Sequence, residues 1–331
     1  MVGAARLRNA RKMDEDDVRS RPPRSTRPRT KDRPDYSQAL SGMVIAVDRG
    51  RLTCNVNGER ITAMKSRELG KNSVVVGDHV GIVGDLTGDA GTLARIVTVA
   101  DRRNTLTRTV DDVATIERMI VANIDVMGIV IAAANPEPRH GFVDRALVVA
   151  FDQGITPVII LTKRDLADAS EFLQGYRDLN IPIYETQRGA DLTSIHALLE
   201  GKVSVLLGHS GVGKSTLVNA LVTASDRLTG SVNEVTGRGR HTSSSAVALE
   251  LDDGSGWIID TPGVRSFGVA HIKTERVLGA FGEFAEVLAT CPKNCSHNEE
   301  DCSLNSWPNF SADELSRLDS LRRILGGAKS S

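Results

Sequence analysis

The stretch Gly208-His209-Ser210-Gly211-Val212-Gly213-Lys214-Ser215 constrains this chain more than any other. It reads G-x-x-x-x-G-K-[ST], with an apolar run at 203–207 before it and a helical pattern reaching 222 behind it. Glycines let consecutive backbone N–H groups curl around phosphate oxygens, and the helix N-terminus adds positive potential. In such a loop Lys214 neutralises the β- and γ-phosphates, the Ser215 hydroxyl ligates Mg²⁺, and Thr216 follows in the first helical turn. A strand–loop–helix of this kind sits on a mainly parallel sheet covered by helices.

Two further elements choose the nucleotide. Asp260-Thr261-Pro262-Gly263 follows a buried strand; there Asp260 reaches Mg²⁺ through water and the Gly263 amide faces the γ-phosphate. Thr162-Lys163-Arg164-Asp165 follows another buried strand. A carboxylate at 165 accepts two hydrogen bonds, from guanine N1–H and from its 2-amino group. Adenine offers neither donor, and an unpaired buried carboxylate costs several kcal/mol, enough for a strong preference. The order is unusual: 162–165 precedes 208–215, and 260–263 comes last. One sheet still forms if the chain is circularly permuted, which folds tolerate when the original termini lie close.

Around this centre the pattern divides. Residues 42–47, 52–56, 60–65, 74–76 with 79–83, and 92–99 alternate apolar and polar, with Asn57-Gly58 supplying a tight hairpin turn. About five strands in sixty residues fit a small Greek-key barrel of OB type. From about 105 onward strands alternate with helices: strands at 126–133, 157–161, 181–184, 203–207, 246–251 and 256–259, and helices at 143–152, 169–179, 192–199 and 217–222. Residues 273–289 are predicted as one helix. A last helix spans about 312–325, opened by a Ser311/Glu314 capping box and ended by Gly326. Leu315, Leu318, Leu321 and Leu325 give it one apolar face, expected to pack on its own domain.

Charge is uneven. Residues 1–35 carry a net +5 while the whole chain carries −1. Their Arg, Pro, Ser and Thr content cannot bury enough surface to order itself, so a disordered basic tail is expected, either a solvated extension or an arm for nucleic-acid phosphates. The apolar runs fall short of the ~20 residues of a membrane helix, and the first thirty residues lack a secretory apolar core; a cytoplasmic location is expected. Three of the four cysteines cluster as Cys291, Cys295 and Cys302 with His297 between them. Three sulfurs and an imidazole within twelve residues make a closed tetrahedral set for a structural Zn²⁺. Cys54, inside the barrel, is expected in its core.

A barrel, a permuted nucleotide domain and a C-terminal Cys/His cluster, with T-K-R-D, G-H-S-G-V-G-K-S-T, G-R-G-R-H-T and D-T-P-G, closely resemble the ribosome small subunit-dependent GTPase A family (RsgA/YjeQ). The resemblance covers roughly residues 37–305. It implies GTP hydrolysis to GDP and phosphate, stimulated by the small (30S) ribosomal subunit, and a role in late maturation of that subunit through rRNA binding.

The residue after D-T-P-G is Val264, which cannot orient water. The nearest polar candidate is His241 in Gly237-Arg238-Gly239-Arg240-His241-Thr242, a histidine being able to accept a hydrogen bond from water near neutral pH. In the resembling family this histidine is the proposed catalytic group. Thr242 would then ligate Mg²⁺ or the γ-phosphate, with Ser243 as the alternative. Arg238 and Arg240 meet phosphate, of nucleotide or of RNA.

Departures from the family pattern are Thr162 in place of Asn, and a Cys/His spacing one residue shorter on each side. The position held by Asn in potassium-stimulated GTPases is Gly211.

The expected organisation is a basic tail (1–36), an OB-type barrel (37–100), a circularly permuted α/β P-loop GTPase domain (101–270) and a helical zinc-binding segment (271–331), acting as a monomer. Competing readings are a GTP-gated RNA-binding module with little turnover and a P-loop ATPase or kinase on small molecules.

Overall fold

The computed structural model describes residues 36–48, 50–70, 74–89, 91–111, 114–177, 179–222, 246–261, 274–279, 281–306, 310 and 312–329. The basic tail and the segments holding Gly263 and His241 lie outside these residues. Residues 36–331 belong to one compact unit.

Alternation with a period of two builds the first part. Strands β1 (Leu40–Asp48), β2 (Arg51–Val56), β3 (Glu59–Lys65), β4 (His79–Val83) and β5 (Ala94–Val99) follow in sequence. The spatial order is β1-β2-β3-β5-β4, β3 and β5 running parallel, and β4 returning antiparallel to β1 to close a barrel. Asn57 and Gly58 take the left-handed φ of +53° and +90° that the β2–β3 turn requires. Val44, Leu52, Cys54, Ile61, Ile82 and Ile96 fill the interior. Cys54 is fully buried, and that burial pushes its thiol up to about 12, so it stays a neutral core group.

Segment 74–76 is not the expected strand. Val76 makes one isolated parallel bridge to Val121. The next residue, Gly77, has φ +88°, and a Cβ there would lie 2.0 Å from the Ala122 carbonyl oxygen. No side chain fits that crossing. Asp78 beyond it is wholly buried and takes both Nε (2.6 Å) and Nη2 (2.8 Å) of Arg102.

Residues 105–122 form a two-stranded antiparallel hairpin, β6 (Thr105–Asp111) and β7 (Ala114–Ala122), which sequence patterning did not resolve. Thereafter β-strands alternate with helices: β8 (Val126–Ala132), α1 (His140–Gln153), β9 (Thr156–Thr162), α2 (Ser170–Arg177), β10 (Ile183–Glu185), α3 (Thr193–Leu199), β11 (Val203–Leu207), α4 (Lys214–Leu221), β12 (Val247–Glu250) and β13 (Trp257–Asp260). The order across the sheet is β10-β9-β8-β11-β13-β12, parallel except for β12. All seven residues of β8 are buried, as a central strand covered on both faces demands. One face packs Ile129, Ile131, Ile159 and Val205 against α1, α2 and the C-terminal helices. The other packs Val130, Val158 and Leu206 against Leu217 and Leu221 of α4.

The barrel and this sheet are continuous. Ala46 of β1 pairs with Val247 of β12, and Met43 and Ile45 of β1 join the apolar cluster beneath α1.

The helix expected over 273–289 is broken into α5 (Thr274–Gly279), a 3-10 turn (Gly282–Phe284) and α6 (Ala285–Leu288), with Gly279 and Gly282 at the break. The last helix, α7 (Ala312–Lys329), runs beyond Gly326, which is no terminator. Leu318, Leu321, Ile324 and Leu325 are buried, whereas Leu315, expected on the same face, is 50% exposed. Its packing partners are α1 and α2: Ser320 Oγ donates to the Gly175 carbonyl at 3.1 Å, and Arg323 Nε to Asp144 Oδ2 at 2.8 Å.

Candidate nucleotide-binding site

The loops that follow β8, β9 and β11, and the end of β13, share one edge, the carboxyl ends of the parallel strands, where open α/β sheets bind ligands. Each glycine of the loop 208–213 has its own reason. A Cβ at Gly208 would stand 2.6 Å from the Val130 carbonyl oxygen, so the chain there must run bare against β8. Gly211 and Gly213 take φ of +85° and +90°, a backbone that glycine adopts without steric cost, before α4 begins at Lys214. Val212 is buried and anchors the loop to the sheet. His209 is half-buried with its ring 4.5 Å from that of Phe142, a packing contact at the loop's shoulder. Ser210, Ser215 and Thr216 are exposed. Lys214 Nζ lies 3.9 Å from Asp260 Oδ1, so the β11 and β13 loops bring their charged groups to one spot.

Thr162 is the feature that joins the two halves of the site. It ends β9, is 5% exposed, and its hydroxyl stands 2.5 Å from the Val212 carbonyl and 3.1 Å from that of Ile131. One hydroxyl proton serves one of these acceptors at a time. The side chain that lacks a carboxamide for a purine therefore holds the phosphate loop against the loop of residues 163–165. Lys163 has φ +54° and its Nζ donates to the Asn135 carbonyl. Arg164 is exposed, its N–H donating to the Thr186 carbonyl at 3.3 Å and its Nε reaching Gln187 Oε1 at 3.4 Å. Asp165 is exposed and lines a cleft of about 460 Å³ together with Arg164, Ser170, Glu185 and Gln187.

Sequence patterning overlooked Asn135 and Pro136. Asn135 has φ +50°, and Pro136 Cδ lies 3.7 Å from where a Gly211 Cβ would stand. The loop after β8 thus touches both Lys163 and the phosphate loop. An Asn-Pro pair after a buried strand was the available signal. Gly263, Thr242, Ser243, His241, Arg238 and Arg240 lie outside the described residues.

The four candidate metal ligands meet. Ligand atoms of Cys291, Cys295, His297 and Cys302 all lie within 4.8 Å of one another, despite the compact spacing. Thiolates about 2.3 Å from a tetrahedral ion stand roughly 3.8 Å apart. Cys291 Sγ and Cys302 Sγ are 3.8 Å apart, and Cys302 Sγ is 4.0 Å from His297 Nδ1. Desolvation pushes the Cys295 thiol up to about 12, so a cation is needed to make it a thiolate at neutral pH. Left-handed turns at Asn294 (φ +63°) and His297 (φ +66°) bend the chain around the site. Glu299 braces it, its carboxylate taking the Ser296 N–H at 2.8 and 2.9 Å and the Cys295 thiol at 3.3 Å. Those hydrogen bonds, Ser296 foremost, hold Glu299 down at about 2. The donor set fits a metal ion.

Similarity to known proteins converges on this arrangement. The sequence model of the RsgA GTPase family matches residues 99–270. The small ribosomal subunit biogenesis GTPase RsgA of Pseudomonas fluorescens is 36% identical over 216 residues, spanning 62% of this chain and 62% of that protein, just under two thirds of its length. The protein of the same name from Pseudomonas aeruginosa is 37% identical over 240 residues, 70% of each chain. The crystal structure of YjeQ from Thermotoga maritima superposes with a TM-score of 0.62 at 26% identity, covering 88% of this chain and 99% of that one. YloQ, described as a circularly permuted GTPase, shares the fold with a TM-score of 0.62 at 22% identity. The motifs run in permuted order along one sheet, and the chain belongs to the RsgA GTPase family.

Proposed function

We propose that this chain hydrolyses GTP to GDP and phosphate in the biogenesis of the small ribosomal subunit. The observation that carries the reading is the tie between Thr162 and the Val212 carbonyl. It supports reading the 162–165 turn and the 208–215 loop together as one receptor for a guanine nucleotide. The first step is binding: amides of 208–213 and the N-terminus of α4 take the phosphates, and Lys214 adds its charge. Asp165 selects guanine, because only guanine donates twice to a carboxylate. Ser215 and Asp260, with Thr242 as a further ligand, would hold Mg²⁺, which would supply charge neutralisation on the phosphates. The closeness of Asp260 to Lys214 supports that placement. His241 orients the attacking water.

The barrel, of OB type, is the RNA-binding element in this reading. Register supports the choice: Arg51, Met64 and Arg95 sit in one row across β2, β3 and β5, and Arg60 pairs with Asn55 two rungs beyond Thr62. Alternation turns all of them away from the barrel core. That is the face OB folds use for oligonucleotides. Cys291, Cys295, His297 and Cys302 hold a structural Zn²⁺. Among the described residues no helix is long and apolar enough to cross a membrane. In this reading the chain is a cytoplasmic monomer acting on the 30S particle and its rRNA.

The test is phosphate release from GTP and ATP with and without purified small subunits. Stimulated turnover of GTP alone is expected. Equal turnover of ATP refutes the base assignment. GTP binding with slow hydrolysis that subunits leave unchanged replaces the enzyme by a GTP-gated binding module. His241→Ala is expected to cut stimulated turnover by roughly 10²-fold or more with GTP affinity retained.

A further inference from the structure

The helices α1 and α2 are joined at their sides by a chain of polar groups that the nucleotide site does not use. Asp144 on α1 is 1% exposed. Its Oδ1 accepts from Tyr176 on α2 at 3.0 Å and its Oδ2 from Arg323 on α7 at 2.8 Å. Tyr176 Oη also stands 2.9 Å from His140 Nδ1, at the start of α1, and the His140 ring stacks on Phe172 of α2 at 4.2 Å. The Arg323 guanidinium completes the junction 5.2 Å above the Tyr176 ring. Burying a carboxylate is costly unless it is paired, so α1 and α2 keep this spacing only while α7 brings Arg323 to Asp144.

Both helices lead directly from loops of the nucleotide site. The loop before α1 holds Asn135, the acceptor for Lys163, and Pro136, beside Gly211. The loop before α2 is the T-K-R-D turn itself, and Asp165, Ala169, Ser170 and Leu173 line the cleft beside it. The phosphate loop meets α1 only at its shoulder, where the Phe142 ring stands 4.5 Å from that of His209, and α4 packs on the opposite face of the sheet from α7, in the other apolar cluster. We infer that Arg323 is a positioning residue for guanine binding, its ion pair with Asp144 making the docked C-terminal helix set the spacing of α1 and α2 and hence the tightness of the base end of the pocket. The inference rests on the guanine-nucleotide reading above. It gives the C-terminal segment a hold on nucleotide release.

The experiment measures dissociation of a fluorescent GDP analogue from the full chain by stopped flow, beside thermal melting and steady-state GTP hydrolysis. Arg323→Ala is expected to release GDP on the order of fivefold faster, at the low end of coupling between distinct sites. The KM for GTP should rise by a larger factor than kcat falls. Arg323→Lys, which keeps a cation for Asp144, should restore most of the lost residence time. Tyr176→Phe removes one hydroxyl without emptying the core, and should quicken release in the same direction; it decides the matter if Arg323→Ala fails to fold. A wild-type chain that takes up no guanine nucleotide defeats the functional reading, and this inference with it. A wild-type chain that binds, with Arg323→Ala and Tyr176→Phe melting lower yet releasing GDP at its rate, overturns this inference alone.

Discussion

The loop at 208–213 and the cysteine cluster are both short turns that the proposed function assigns a charged ligand, and they are stabilised in opposite ways. The loop at 208–213 lies on a sheet whose central strands are buried on both faces, and its shape is dictated by bare contact of Gly208 with β8 and by the Thr162 hydroxyl. The receptor exists before its ligand. At the cysteine cluster only Cys302 and His297 are buried, and Cys291, Cys295 and the residues between them are partly or fully exposed. Four donors drawn together with so little apolar cover would gain much of their fold from a bound ion. One site is formed by packing, the other by coordination.

Breaking the metal site should have the largest local effect. Chelation, or Cys302→Ala, is expected to remove one bound metal per chain and to strip hydrogen-exchange protection from residues 281–306, while β8, β9 and β11 keep theirs. Protection lost equally from the central sheet would erase the contrast. Next is Gly208→Val, which forces side-chain atoms onto the Val130 carbonyl and should cost about 3 kcal/mol of stability together with nucleotide binding. Calorimetric melting reads the first effect, and a stability change near zero would mean that β8 yields and the receptor is less rigid than described.

Asp165→Asn should lower GTP affinity by roughly 10²-fold with ATP still excluded, as one charge-assisted acceptor is lost. Calorimetric titration checks it; affinity within a factor of two would move base reading elsewhere. Smallest is Thr162→Val, which leaves the Val212 carbonyl without its donor at about 1 kcal/mol and should weaken GTP binding about fivefold, metal content unchanged. A Thr162→Val chain that binds GTP as tightly as wild type would free the two loops from each other.

Much of this architecture is legible in the linear sequence because its signals are local. The phosphate loop shows its glycines and lysine within eight residues, and the cysteine cluster closes within twelve. The hairpin at 105–122 is hidden for the opposite reason. Ala114–Ala122 reads A-T-I-E-R-M-I-V-A, whose Ala, Glu, Arg and Met favour helix and whose apolar spacing suits either structure, so only pairing with β6 decides it. The role of Thr162 was likewise out of reach. Its departure from Asn is visible, but the carbonyl that receives its hydroxyl is fifty residues away. The Asp144–Arg323 pair spans 179 residues, and neither residue sits in a motif. Leu315 misled because helical spacing marks a face without saying how much of it a neighbour covers.

Strand β1 serves two interiors at once: Val44 points into the barrel, while Met43 and Ile45 point into the cluster under α1. A single residue inserted ahead of Met43 would exchange those faces, and no loop could absorb the error because the strand is committed on both sides. Of all the segments near the chain's beginning, this one leaves evolution the least freedom to lengthen or shorten, and grafting a foreign barrel onto the nucleotide domain would have to reproduce its parity residue by residue.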